Sequence, residues 1–160
     1  MRKITDESRN AFFAARPFKK GNMAVEIRPW QDQKHDSVIL LLHGNPIARY
    51  DMGDVSLATL QVCDGGWQTV TTKDRLNSLP GVRVNQVKGD WFLNGAKWDG
   101  FWAYVTPAVT VKAFFEAKGR RSWWVELPGL PTATFTREEA AMAYAKVECS
   151  NTGLPLRVAA

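Results

Sequence analysis

Few side chains in this sequence are placed to do chemistry together. Its histidines are His35 and His43, and its cysteines are Cys63 and Cys149. Four such residues at unrelated spacings do not make a zinc ligand set. Asp51 with Asp54, or Asp90 with Asp99, could pair to hold Mg²⁺. Each pair stands beside turn glycines, where surface carboxylates are common. Thr71-Thr72-Lys73-Asp74-Arg75 sets a helix N-terminus beside two cations. Such an end can bind phosphate, but Asp74 repels one and a structural capping box is the simpler reading. No Walker loop or dinucleotide fingerprint occurs. These patterns predict no catalytic residue, no metal and no cofactor.

Leu40-Leu41-Leu42-His43-Gly44 looks like the oxyanion-loop strand of α/β-hydrolases. That fold needs a G-x-S-x-G elbow downstream and a catalytic His after it. The chain has neither. The plain reading is a strand ending in a turn at Gly44-Asn45-Pro46, with His43 at a polar edge.

Binding chemistry is better represented. The net charge is +5 and the pI near 9.4, which suits an acidic partner without requiring one. Lys19, Lys20, Lys118, Arg120 and Arg121 lie near expected turns. Trp123 and Trp124 follow, and alternation along a strand turns one of them outward. Trp124, beside Arg121, is the expected outward one. These six residues, Trp124 included, form the candidate binding set for nucleic acid or protein. The seven Trp and eight Phe otherwise read as core and cross-strand packing.

The elements that would position these residues follow from local pattern. Thr5 is a plausible N-cap for a helix over Ser8–Ala15, stopped by Pro17. Ala24–Trp30 reads as a strand, and Gln31–Asp36 as a polar loop. Val38–Leu42 is a short apolar run, so a buried strand. Val55–Val62 is expected to be another. Thr71–Asp74 opens a short helix carrying Leu76 and Leu79, which Pro80-Gly81 ends. Val82–Val87 alternates as a strand, Trp91–Leu93 runs back, and Asn94-Gly95 suits a type I′ hairpin. Residues 106–118 read as a helix with Pro107 at its first position, or as a strand through Val109 and Val111. Ser122–Leu127 and Thr132–Phe135 are strands. Thr136–Glu139 is a second capping box, for a helix with Ala140, Ala143, Tyr144 and Val147 on one face. Asn151-Thr152-Gly153 closes it, and Leu154–Val158 is a last strand.

The whole predicts an α+β fold: an antiparallel β-meander with short helices, plus a C-terminal β-β-α-β unit. At 160 residues the chain suits one domain with a small addition, divided as 1–105 and 106–160. No stretch is long enough to span a membrane. Residues 5–7 turn acidic or polar where a signal peptide needs an apolar core. Two isolated cysteines suit free thiols in a reducing cytoplasm.

Three stretches carry a resemblance: HGNPIA at 43–48, GWQTVTTKDRLNSLPGV at 66–82, and WFLNGAKWDG at 91–100. Together they resemble a family of small bacteriophage and prophage proteins, over roughly Ile4–Gly100. The resemblance implies a phage origin and action inside an infected bacterium, and carries no catalytic roles. The function expected is that of a non-enzymatic phage accessory protein that binds a host protein or nucleic acid. The rival expectations are a nucleic-acid-processing enzyme with unidentified carboxylates and a structural virion component.

Overall fold

The computed structural model describes residues 3–30, 35–54, 56–115, 119–128 and 130–159. Its elements run α1 (Lys3–Phe13), β1 (Phe18–Lys20), β2 (Met23–Pro29), β3 (Asp36–Leu42), β4 (Asn45–Asp51), β5 (Gln61–Val62), α2 (Val70–Asn77), β6 (Val84–Val87), β7 (Asp90–Leu93), β8 (Ala96–Lys97) and β9 (Ala103–Tyr104). They continue with β10 (Val109–Phe115), β11 (Arg121–Glu126), β12 (Ala133–Phe135), α3 (Glu138–Thr152) and β13 (Leu156–Ala159). The fold is α+β. The chain divides into two compact units, Met1–Thr106 and Pro107–Ala160.

The first unit is built on an antiparallel sheet of order β1-β2-β3-β4-β5-β9. Its centre is β3, buried from Ser37 to Leu42, as an apolar run without alternation requires. His43 and Gly44, at φ 52° and 78°, form the two-residue turn into β4. Asn45 and Pro46 therefore belong to β4 rather than to the turn expected there. Pro46 is tolerated because the register shifts there, Leu40 facing Ala48 and Leu41 facing Pro46. Helix α1 lays Ala11 and Phe12 on this sheet. The Phe12 ring meets Tyr50 edge-on at 4.9 Å, and the Tyr50 hydroxyl donates to the Phe12 carbonyl at 2.5 Å. Thr5 is not the cap expected of it. It lies inside the helix and is fully buried.

Only Gln61–Val62 of the expected strand 55–62 enters the sheet, and Val55 lies outside the described residues. The reason is Asp54. Its Oδ1 accepts from the Ser56 N–H and hydroxyl, and its Oδ2 from the Thr59 N–H and hydroxyl. These local bonds outcompete a ladder. Burial alone would raise the Asp54 pKa, but the hydrogen bonds from Thr59 and Ser56 outweigh it and hold the carboxyl below its ordinary value. A depressed carboxyl contributes stability above its unfolded pKa, here 3.8, and loses it as pH falls through the folded value. Wild type should thus exceed Asp54→Asn in stability at neutral pH, and the gap should close below that value. Urea melts across pH check this; a gap independent of pH would refute it.

Helix α2 starts two residues before the expected box. Thr69 is the N-cap, and its Oγ1 accepts from the Thr72 N–H at 3.1 Å. Leu76 and Leu79 are buried, as their spacing predicts. A second, three-stranded antiparallel sheet follows, of order β6-β7-β8. Asn94 and Gly95, at φ 49° and 86°, make the type I′ turn between β7 and β8. Asn94 also clamps the preceding loop: its Oδ1 accepts from Arg83 N at 2.8 Å, and its Nδ2 donates to Gly81 O at 3.0 Å. A Cβ on Gly95 would meet no atom within 4 Å, so a substitution there reports backbone strain alone. Gly95→Val should cost about 1–3 kcal/mol. A thermal melt with unchanged midpoint would contradict this.

The second unit corrects three expectations. Residues 109–115 form strand β10, not a helix. Val109 and Val111 are buried in a sheet of order β12-β11-β10-β13, where β10 pairs antiparallel with β11 and parallel with β13. The tail is therefore β-β-β-α-β, and its parallel pair requires the α3 crossover. The expected box at Thr136 gives no side-chain cap; the N-cap is Arg137. The buried stripe of α3 is Ala141 and Ala145, whereas Ala140 and Ala143 are exposed and Val147 is 57% exposed. The alanine-rich sequence offers two stripes one residue apart, and small residues let either lie close. Gly153 ends α3 at φ 73°.

Candidate functional site

The described surface is recessed on either side of Asp64, just after β5. The Asp64 N–H donates to the Gly100 carbonyl at 2.9 Å. Its Oδ1 accepts from Gly66 N at 2.7 Å, and its carbonyl accepts from Trp67 N at 3.2 Å. This turn pushes the Trp67 side chain into solvent. Gly100 stands at φ 90°, and a Cβ there would lie 2.0 Å from Asp64 Oδ2. Only glycine lets the two segments approach so closely. Phe101 follows, its N–H held by Asp99 Oδ1 at 3.0 Å and its carbonyl accepting from Trp98 Nε1 at 2.8 Å.

Two recesses flank this junction. One, of about 510 Å³, lies between the β3–β4 turn and the start of α2, and includes His43, Trp67, Thr69 and Thr72 in its lining. The other, of about 310 Å³, includes Trp30, Cys63, Phe101 and Trp102. Asn45, Asp64 and Gly65 belong to both, so they form the ridge between them. Two large side chains of these linings stand exposed, Trp67 at 66% and Phe101 at 74%, and Val70, in the lining of a third recess with Lys73, Asp74 and Lys88, is 74% exposed. Neither recess has Lys or Arg among its described lining residues, and Asp64 is the one carboxylate in each. Burial pushes the Cys63 thiol up to about 11, and its Sγ donates to the Pro46 carbonyl at 3.0 Å. At neutral pH it is a protonated thiol and no nucleophile. The arrangement suits holding a side chain or segment between aromatic faces and one carboxylate.

The residues nominated from sequence lie elsewhere. Lys19 and Lys20 are exposed on β1, an edge strand, where lysines discourage strand pairing. Lys20 Nζ is 3.0 Å from Glu7 Oε2. Arg120 and Arg121 are exposed before and at the start of β11. Trp124 is half-buried and stacked on Phe114 at 3.9 Å, while Trp123 packs with the core of the second unit. Lys118 lies outside the described residues. The first two and the last three described residues thus sit in separate units.

The carboxylates considered for Mg²⁺ have other partners. Asp51 pairs with buried Arg49, Asp54 is bound by Ser56 and Thr59, and Asp90 lies 3.8 Å from Lys97. Asp99 holds Phe101 N. Of the cations near the start of α2, Lys73 lies over the Trp91 ring at 5.6 Å and Arg75 is buried.

Sequence reasoning missed Asp64, Trp67, Gly100 and Phe101. Its usable signal was aromatic residues set directly after turn glycines, in Gly65-Gly66-Trp67 and Gly100-Phe101. No strand alternation there obliges the ring to be buried.

A family model described as Kyanoviridae Gp96 protein matches residues 1–115. The match contains every described lining residue of the two recesses and leaves Arg120, Arg121 and Trp124 outside it. No curated protein and no solved structure matches the chain.

Proposed function

The chain belongs to the Kyanoviridae Gp96 protein family, a family of phage proteins, and from that premise we propose that it is an accessory protein that binds a host protein in the cytoplasm of the infected cell, without catalysis of its own. The observation that supports this is the exposure of Trp67 and Phe101 in the lining of two recesses within the family segment. Exposed apolar clusters rimmed by polar groups mark interaction surfaces. Tryptophan is the side chain most enriched among energetically dominant contacts.

The reading as a nucleic-acid binder draws on the charge of +5. It is disfavoured at this surface because the recesses have Asp64 and no Lys or Arg in their described lining. Backbone phosphates would meet repulsion there.

A photo-crosslinking residue at position 101, exposed to bacterial host lysate, should capture a discrete host protein. The same residue at exposed position 147 should not. In the crosslinked pair, Trp67→Ala should weaken affinity about thirtyfold, the value of a dominant contact of about 2 kcal/mol. Equal labelling at both positions would refute the surface. Labelled single- and double-stranded oligonucleotides, titrated at two salt concentrations, test the rival. Salt-sensitive binding abolished by charge reversal at Arg120 and Arg121 would favour it.

A further inference from the structure

We infer that the Asp64 ridge recognises a Lys or Arg side chain presented by the protein partner. This rests on the binding reading above and names the chemistry that the partner must bring.

Charge complementarity selects the occupant. The protein carries a net charge of +5, so much of its surface repels cations. The ridge differs: Asp64 is the one Asp, Glu, Lys or Arg among the described lining residues of either recess. Among the described hydrogen bonds its carboxylate accepts one, from Gly66. A carboxylate has about four acceptor sites, which leaves capacity for a further donor at a residue that lines both recesses. Gly100 keeps Oδ2 in place, because any side chain there would displace it.

Aromatic rings supply the second half of a cation site. Trp67 lines one recess, and Trp30, Phe101 and Trp102 line the other. A guanidinium or ammonium is attracted to such faces within about 6 Å of the ring centroid. The fold already uses that contact internally, with the Arg49 guanidinium 5.8 Å from the Trp30 ring. Trp30 is itself fixed edge-on to Trp102 at 5.1 Å. Volumes of about 310 and 510 Å³ are in the range of side-chain and small-ligand pockets. An acidic segment would meet Asp64 with no described cation in the lining to offset it. A purely apolar segment would leave the carboxylate desolvated and unpaired.

The test uses the full chain, ¹⁵N-labelled, titrated with single-residue probes: N-acetyl methylamides of lysine, arginine, norleucine and glutamate. The lysine and arginine probes should shift the amide signals of Gly65, Gly66 and Gly100 and the indole signal of Trp67, and the norleucine and glutamate probes should not. The response should weaken in high salt. Asp64→Asn keeps an acceptor for Gly66 N–H and should leave the rest of the spectrum unchanged. It should weaken the cationic probes about tenfold or more. Equal shifts from norleucine and lysine, no shift from any probe, or an unchanged response in Asp64→Asn would each overturn the inference. Crosslinking from position 101, exposed in the lining of the second recess, separates this from the parent reading. Host-protein capture that survives Asp64→Asn but not Trp67→Ala removes the cation preference and leaves the binding surface standing. Loss of site-selective capture with neither substitution present removes the surface itself.

Discussion

Asp74→Ala should destabilise the protein by about 3–5 kcal/mol, the cost of stranding a buried charge. Its partner Arg75 is only 2% exposed. The Arg75 Nη1 donates to Asp74 Oδ2 and to the Thr5 hydroxyl, the latter at 2.6 Å. Thr5 in turn donates to Asp74 Oδ2 at 2.8 Å. The three form a closed triangle joining α1 to α2. Among the described residues the Arg75 Nε has no hydrogen-bond partner, so the guanidinium has little to fall back on. Without Asp74 it keeps the Thr5 hydroxyl and a long 3.5 Å contact to Asn22. The double variant Asp74→Ala/Arg75→Met removes both charges and should recover most of the loss, because an apolar replacement of a buried pair is often close to neutral. Urea unfolding followed by circular dichroism measures both. A single-variant loss below about 1 kcal/mol would place the pair among solvated ion pairs instead.

Gly100→Ala should be nearly as damaging and should act on the site. A residue with a Cβ at φ 90° costs on the order of 1–3 kcal/mol in backbone strain. The added carbon would also stand 2.0 Å from Asp64 Oδ2 and 2.6 Å from its Cγ. The carboxylate must swing away and release Gly66 N, at roughly another 1 kcal/mol. The ridge between the recesses is then lost. The expected result is a lowered melting temperature together with loss of the lysine-probe response. Retention of both would mean that the 64–66 turn adapts without cost. Gly95→Val is the control: it carries the same kind of strain in a hairpin that lines neither recess, so it should lower stability and spare the probe response.

Some of this was legible from local sequence. The run Val38–Leu42 reads as a buried strand because continuous apolarity over so short a span has few other outcomes. Asn94-Gly95 reads as a type I′ turn because both positions need positive φ, which those residue types tolerate. Gly153 ends α3 for the same reason. The α2 cap was misplaced because several threonines compete there. Thr72 Oγ1 donates to the Trp67 carbonyl at 2.9 Å, and the expected box partner Asp74 is claimed by Thr5 and Arg75.

The sequence by itself determined the α+β class, the central strand and the Asn94-Gly95 hairpin turn, since these rest on period and backbone conformation within a few residues. Tertiary structure alone decided that residues 109–115 are a strand, because Val109 and Val111 are buried only between β11 and β13. It also decided the candidate site. Asp64 and Gly100 are remote in sequence and meet because β5 pairs with β9, Gln61 facing Tyr104 and Val62 facing Ala103. No local periodicity encodes such a pairing. It forms when folding buries Val62 in the core, and the exposed rings at Trp67 and Phe101 are set beside the recesses by the turns that this pairing leaves at its ends.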